Sequence, residues 1–173
     1  MDADRMDRSI VRMAHEIAEA EGDLSRIALV GIRTRGVPLA QRLARTIARN
    51  EGLEPPTGAL DITLYRDDLS TIASQPVLKK TELDFDIQPR VIILCDDVLF
   101  TGRTIRAAMD GLMDYGRPRA IRLAVLIDRG HRELPIEANY VGKRVPTSSR
   151  ELIRVLFRAV SYTHLTLPTI YSV

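Results

Sequence analysis

The chain has one cysteine, Cys95, among its 173 residues, so no internal disulfide can form. No apolar run approaches the ~20 residues of a membrane-spanning helix, and Met1-Asp2-Ala3-Asp4 does not open a secretory signal. These absences lead to the expectation of a cytoplasmic protein with no membrane contact. There is no internal repeat and no long low-complexity linker. The pattern GxxxxGK[ST] is missing, which argues against a P-loop nucleotide hydrolase. No GxGxxG follows the first predicted strand, which argues against dinucleotide binding. The histidines His15, His131 and His164 lack metal-ligand spacing. The formal net charge is only +2, so any basic surface must be local. What remains is ordinary for a soluble domain with a sizeable core: 45% hydrophobic and 28% charged residues.

The most informative stretch is VIILCDDVLFTGRT, from Val91 to Thr104. The run Val91–Cys95 is short, apolar and β-branched, as suits a strand buried on both faces of a parallel sheet. Asp96 and Asp97 follow at its C-terminal end, where open α/β sheets bind ligands. Thr101-Gly102-Arg103-Thr104 then opens a helix, whose N-terminus favours an anion. Acids beside an anion hole suit a ligand with both hydroxyls and a phosphate, such as a ribose 5-phosphate. An acidic Mg2+ site of the phospho-receiver kind would need its aspartates on different strands. It also leaves the Thr-Gly-Arg-Thr helix start unexplained. Cys95, inside the apolar run, reads as a buried structural thiol rather than a nucleophile.

Around this stretch, strands alternate with helices. Asp7–Glu21 reads as an amphipathic helix with Ile10, Ala14 and Ile17 inward, Val11 and Ala18 beside them, and Gly22 as C-cap. Its basic face (Arg5, Arg8, Arg12, His15) is either a solvated surface or a binding one. Ile27–Ile32 reads as a buried strand. Arg33-Thr34-Arg35-Gly36 then forms a second candidate anion loop or an ordinary turn. The next helix starts near Pro38, turns Leu39, Ala40, Leu43, Ala44 and Ile47 inward and stops near Gly52. Gly58–Tyr65 alternates as a strand with Leu60, Ile62 and Leu64 on its drier face. Residues 66–89 form a long excursion, read as a lid, with short strand pieces near Val77–Leu78 and Leu83–Ile87. A helix over Ile105–Tyr115 turns Ala108, Met109, Leu112 and Met113 inward. Strands follow at Arg119–Ile127, Tyr140–Val141 and Glu151–Phe157. The loops Arg33–Gly36, Asp96–Thr104 and Asp128–Glu133 all follow strand C-termini and converge on one edge. Residues 159–173 carry no Asp, Glu, Lys or Arg, unlike the rest of the chain. VSYTHL there resembles a translated transposon-end adapter, so the domain is placed at residues 1–158 and the tail carries no functional reading.

The stretch resembles the phosphoribosyl-pyrophosphate (PRPP) signature of type I phosphoribosyltransferases: an apolar strand, two acids, then a Thr-Gly-x-Thr phosphate loop. GIRTRGVPLAQRLA, DITLYRDDL, GRPRAIRLAVLIDRGHRELPIEANYVGK and VPTS together resemble the PyrR family, from about Arg8 to Phe157. Those proteins regulate the pyrimidine operon and are also uracil phosphoribosyltransferases. The resemblance implies an α/β fold: a mostly parallel twisted sheet flanked by helices, with a flexible flap. It implies a cytoplasmic enzyme that makes UMP and pyrophosphate from uracil and PRPP with Mg2+. It also implies a uridine-nucleotide-sensing partner of pyrimidine-operon leader mRNA, and a homo-oligomer. An RNA-binding regulator without significant catalysis, a salvage enzyme without RNA regulation and a purine phosphoribosyltransferase stay open as alternatives.

The same resemblance assigns residues. Asp96 and Asp97 are catalytic, near the ribose hydroxyls and the anomeric carbon. Val98, Leu99, Phe100, Thr101, Gly102, Arg103 and Thr104 hold the 5-phosphate and ribose of PRPP or UMP. Arg33, Thr34, Arg35 and Gly36 hold pyrophosphate, with a strained peptide at Arg33-Thr34. Arg66, Asp67 and Asp68 belong to the flap. Asp128, Arg129, Val141 and Lys143 border the base. Arg12, His15, Arg129, Arg132 and Lys143 are RNA contacts. Mg2+ reaches the site with PRPP, and no direct protein ligand is assigned. The tail departs from the family, whose members end in an acidic, strand-like segment.

Overall fold

The computed structural model describes residues 1–68, 78–157 and 169–171. Five parallel strands form the main sheet: β1 (Ile27–Ile32), β2 (Thr57–Leu60), β3 (Val91–Leu99), β4 (Ala120–Asp128) and β5 (Tyr140–Arg144). Their spatial order is β2-β1-β3-β4-β5. The short β6 (Leu152–Arg154) pairs antiparallel with β7 (Thr169–Tyr171) outside that sheet. Three helices complete the frame: α1 (Ala3–Glu21), α2 (Gly36–Glu51) and α3 (Arg103–Met113). No helix among the described residues is long and apolar enough to cross a membrane.

Each sheet face carries its own core, because successive strand residues point to opposite sides. On one face Leu29, Ile93, Cys95 and Leu126 pack with α1 and α2. On the other, Val30, Leu94 and Val125 pack with α3 and with Ile62 and Ile87. α2 follows β1 and α3 follows β3, so neighbouring strands send their chains to opposite faces. A crevice opens between the two departing loops, the position where doubly wound sheets bind ligands. It holds the Arg33–Gly36 and Asp96–Thr104 loops. Two glycines permit the tight approach. A Cβ on Gly31 would lie 2.3 Å from Val37 Cα, and one on Gly36 would lie 2.0 Å from the Cys95 carbonyl oxygen. The Arg33–Thr34 peptide bond is cis.

Several elements differ from the sequence reading. α1 starts at Ala3 rather than Asp7, because Asp2 caps it by accepting from Arg5 N at 2.8 Å. Its inward row is Met6, Ile10, Met13, Ala14 and Ile17, at three- and four-residue spacing, and Val11 is 43% exposed. β2 stops at Leu60, not Tyr65. The Asp61 carboxylate accepts from Thr63 N (3.0 Å) and Thr63 Oγ1 (2.6 Å), a local turn that competes with the strand. Leu60 and Ile62 are buried as expected, but Leu64 is 62% exposed.

Leu83–Ile87 forms no strand; the isolated Ala59–Glu82 bridge lies just before it. Val77 lies outside the described residues, as do residues 69–77 of the expected lid, and Leu78 is not in a strand. β3 runs through both acids to Leu99, because β4 pairs with it as far as Asp128. The same pairing draws β5 on to Arg144. α3 begins at Arg103 and ends at Met113, two residues before Tyr115. Tyr65 lies against Gly111, and Met113 at the helix end is 52% exposed rather than inward. The last predicted strand shortens to β6, although Ile153 and Val155 still join the α1–α2 core. Residues 158–168 and 172–173 of the tail lie outside the described residues.

The Gly31 contact gives a direct check. Gly31→Ala is expected to cost about 3 kcal/mol or more, lowering Tm by roughly 6–12 °C, because the new methyl meets backbone that cannot move aside. A thermal melt within 2 °C of wild type, by about the same scale, would show that this loop is looser than described.

Candidate active site

The acid pair is the centre of the crevice. Asp96 and Asp97 are only 7% and 8% exposed. Asp96 Oδ1 accepts from Asp97 N at 2.9 Å, and Asp97 Oδ1 accepts from Val98 N at 2.9 Å. Asp97 Oδ2 is buried with no hydrogen-bond partner, and its nearest cation is Arg35, whose Nη1 is 3.9 Å away. Burial and then the neighbouring Asp97 charge push the Asp96 carboxyl well above the ordinary range. Burial also raises Asp97, against the opposing pull of its bond to Asp96 and of Arg35. Cys95, one residue upstream, is fully buried and its thiol is raised by burial, so it is inert as the sequence reading expects.

The 101–104 loop follows this pair, from the end of β3 into the start of α3. Gly102, with φ 93°, is the N-cap of α3 and supplies no capping side chain, which leaves first-turn amides of the kind that receive anions. Thr101 Oγ1 accepts from Arg103 N at 3.3 Å. Arg103 and Thr104 are exposed, Val98, Phe100 and Thr101 half-buried, and Leu99 and Gly102 buried. The Arg103 guanidinium donates to Asp67 Oδ2 (2.7 Å) and Glu133 Oε2 (3.1 Å), tying the start of the flap to this loop. Arg66 and Asp68 pair with each other instead.

The third loop is stitched to the second. Arg129 N donates to Leu99 O, and Glu133 N and Leu134 N donate to Thr101 O. Arg132 donates to Phe100 O (2.8 Å), Ile136 O (2.8 Å) and Asp128 Oδ2 (2.7 Å). Burial alone would raise Asp128, but Arg132 and the Gly130 N–H outweigh it and hold that carboxyl low. The Arg129 guanidinium stacks 4.0 Å from the centre of the Phe100 ring and donates to Thr147 Oγ1 and Ser148 O. A cavity of about 430 Å³ lies between Asp128–Arg132 and Arg144–Thr147. Of the four expected base-side residues, Asp128 and Arg129 line it. Val141 instead packs on the α3-side core, and Lys143 is exposed on β5.

The five basic positions assigned to RNA divide in two. Arg12 donates to Val141 O (3.1 Å) and Gly142 O (2.6 Å), next to Lys143, and His15 follows one turn later on α1, against Asn50. Arg129 is 6% exposed, and both Arg129 and Arg132 are engaged within their own loop. The sequence reading missed Lys79, whose ammonium donates to Thr34 Oγ1. It also missed Glu133, the second acceptor of Arg103. Neither falls in a recognised motif position, and both were hidden by the sequence distance between loops.

Comparison with known proteins gives three kinds of match. The family described as Phosphoribosyl transferase domain matches residues 2–152. A Thermoanaerobacter sp. protein named "Bifunctional protein PyrR" is 56% identical over 160 residues, covering 92% of this chain and 90% of that one. The Thermus thermophilus protein of the same name is 59% identical over 155 residues, covering 90% and 86%. Among solved structures, a hypoxanthine-guanine phosphoribosyltransferase from Bacillus anthracis superposes with a TM-score of 0.71 at 22% identity, over 99% of this chain and 95% of that one.

The raised acids make a stability prediction. A carboxyl raised in the folded state adds stability below its unfolded value of about 3.9. That contribution is lost as pH rises through the folded value. Asp96→Asn is therefore expected to melt about 2–4 °C or more above wild type at pH 8, with the gap closing toward pH 5. Thermal melts across that range check it, and a gap that widens toward acid contradicts it.

Proposed function

The chain belongs to the PyrR family of phosphoribosyltransferases, and from that premise we propose that it converts uracil and PRPP to UMP and pyrophosphate and regulates pyrimidine-operon mRNA. The observation that carries the enzymatic half is the buried, under-paired Asp96–Asp97 carboxylates between two anion-receptive loops. Asp96 and Asp97 face the ribose. As the bond from C1′ to the pyrophosphate oxygen breaks, positive charge develops on the sugar, and adjacent carboxylates stabilise it. Pyrophosphate leaves with the bonding electron pair. Uracil N1 supplies the new pair to C1′ and gives up its proton. The 101–104 turn and the first amides of α3 hold the 5-phosphate, and Arg33–Gly36 receives the pyrophosphate.

Mg2+ fits this site as a companion of PRPP rather than of the chain. Among the described residues no group of three His, Cys, Asp or Glu side chains is arranged for a metal. The unpartnered Asp97 Oδ2 can accept from coordinated water, so Asp96 and Asp97 would hold the ion indirectly. When bound, it neutralises charge on the leaving pyrophosphate. The base enters the cavity beside Asp128 and Arg129.

The RNA half rests on Arg12 and His15 of α1 and on Lys143 of β5, the strand that Arg12 meets through Val141 O and Gly142 O. An exposed cation such as Lys143 grips RNA phosphates. Arg129 and Arg132 act in this proposal as scaffold, since their hydrogen bonds are directed inward, and Arg12, paired with Glu16 at 2.7 Å and bonded to Val141 O and Gly142 O, serves also to hold α1 on β5. UMP bridging the phosphate loop and the cavity would favour one arrangement of the stitched loops, and so one RNA affinity.

Purified protein is expected to form UMP from uracil, PRPP and Mg2+, with uracil preferred over purine bases in competition. Absence of UMP formation rejects the enzymatic half. Asp97→Asn should lower kcat by about 10²-fold or more while PRPP affinity changes far less. An unchanged kcat removes the role given to Asp97. In a gel shift on a pyrimidine-operon leader RNA, UMP is expected to change affinity, and Lys143→Ala to lower both the affinity and its salt dependence. No UMP-dependent shift reduces the protein to a salvage enzyme.

A further inference from the structure

Lys79 lies outside every motif that identified the site, yet the fold holds it at the Arg33–Gly36 loop. Asp61 Oδ2 accepts from Lys79 N at 2.6 Å, while Asp61 N donates to Thr81 Oγ1 at 3.0 Å. Ala59 and Glu82 exchange backbone hydrogen bonds, both 2.8 Å. Arg33 Nε donates to Lys80 O at 2.6 Å, and its guanidinium lies 3.5 Å from Glu82. The 79–82 segment is thus fastened to the end of β2 and to the first loop at Lys79 and at the three residues that follow it. The side-chain stem is flexible, but its origin is fixed.

Charge pairing sets Lys79 apart from its neighbours. Arg33 faces Glu82, Arg66 faces Asp68, and Arg103 faces Asp67 and Glu133. Among the described residues Lys79 has no carboxylate partner; its ammonium meets the neutral hydroxyl of Thr34. An ammonium has three donors. One is used on Thr34, which leaves two that an anion at the loop can take. The loop's own cations are both turned to carboxylates, Arg33 to Glu82 at 3.5 Å and Arg35 to Asp97 at 3.9 Å.

We propose that Lys79 is a pyrophosphate-binding residue of the transferase reaction, delivered to the Thr34 loop by Asp61, which acts as its positioning residue. This rests on the reading of Arg33–Gly36 as the pyrophosphate loop. As the C1′–oxygen bond breaks, negative charge gathers on the departing pyrophosphate oxygen. A compact ammonium placed there gains most at that moment. Asp61 is held below the ordinary carboxylate range. Burial opposes this, but the Thr63 and Lys79 hydrogen bonds and the Arg33 charge outweigh it. It therefore remains an acceptor for the Lys79 amide throughout the neutral range.

Calorimetric titration of magnesium pyrophosphate and, separately, of UMP into wild type, Lys79→Ala, Lys79→Arg and Asp61→Asn tests this, with the KM for PRPP measured alongside. Lys79→Ala is expected to weaken pyrophosphate binding about tenfold or more, the worth of one charge-assisted hydrogen bond. It should raise the KM for PRPP similarly. UMP carries no pyrophosphate, so its affinity should stay within about twofold, a change worth only a fraction of one such bond. Lys79→Arg should recover most of the loss, and Asp61→Asn should show a smaller loss in the same direction. Unchanged pyrophosphate affinity in Lys79→Ala overturns the proposal. So does an equal loss of UMP affinity, which would mark a general disturbance. Wild-type protein that binds UMP but no pyrophosphate overturns the loop assignment and this inference with it. Loss of the Lys79 effect alone leaves the loop assignment standing.

Discussion

Two carboxylates buried side by side within one parallel strand set the conditions for everything around them. A carboxylate removed from water costs several kcal/mol unless it is paired and hydrogen-bonded. Asp96 and Asp97 receive only a backbone amide each and a cation 3.9 Å away, and one oxygen receives nothing. The free protein therefore carries a local instability that a folded scaffold would ordinarily eliminate. The surrounding structure is arranged to tolerate it. Gly36 lets the first loop close on the Cys95 carbonyl, Gly102 turns the chain into α3, and apolar cores on both sheet faces hold β3 in place. Strain kept at one position by a well-packed frame is the usual relation between stability and a working site.

The loops around that position are one connected body. Backbone amides of the 129–134 segment close on carbonyls of Leu99 and Thr101, and Arg132 joins Phe100, Ile136 and Asp128 through a single guanidinium. The 99–101 and 128–136 segments thus share hydrogen bonds rather than merely adjoining. The segment between β2 and β3 is joined to both loops, through Asp67 to Arg103 at one end and through Lys79 and Lys80 to Thr34 and Arg33 at the other. A ligand that spans these loops acts on all of them together, which is the physical requirement for a site that both reacts and reports occupancy.

Much of this was legible in the sequence, for identifiable reasons. β1 was readable residue by residue from its six-residue apolar run, and α2 by its inward row Leu39, Ala40, Leu43, Ala44 and Ile47, although it begins at Gly36 rather than near Pro38. The crevice followed from three polar loops after three strands. Legibility failed where short polar side chains redirected the backbone, as Asp2 does at the start of α1 and Asp61 at the end of β2. It failed too where pairing with a neighbour extended a strand past its apolar run, as in β3 and β5. Burial of Arg129 depends on Phe100, Thr147 and Ser148 from two other segments, so no local pattern could show it. Lys79 reaches Thr34 across 45 positions of sequence, and only the fold brings them together.

The central claim is that the acid pair is held uncomfortably in the free protein and is relieved by the ligand it serves. The most direct measurement is a pH titration of the Asp96 and Asp97 carboxyl carbons by 13C NMR, free and with PRPP and Mg2+. The account predicts that the free pair keeps a proton above the ordinary carboxylate range, and that binding releases it. Two carboxyls that titrate normally in the free protein, or that are indifferent to PRPP, would contradict it.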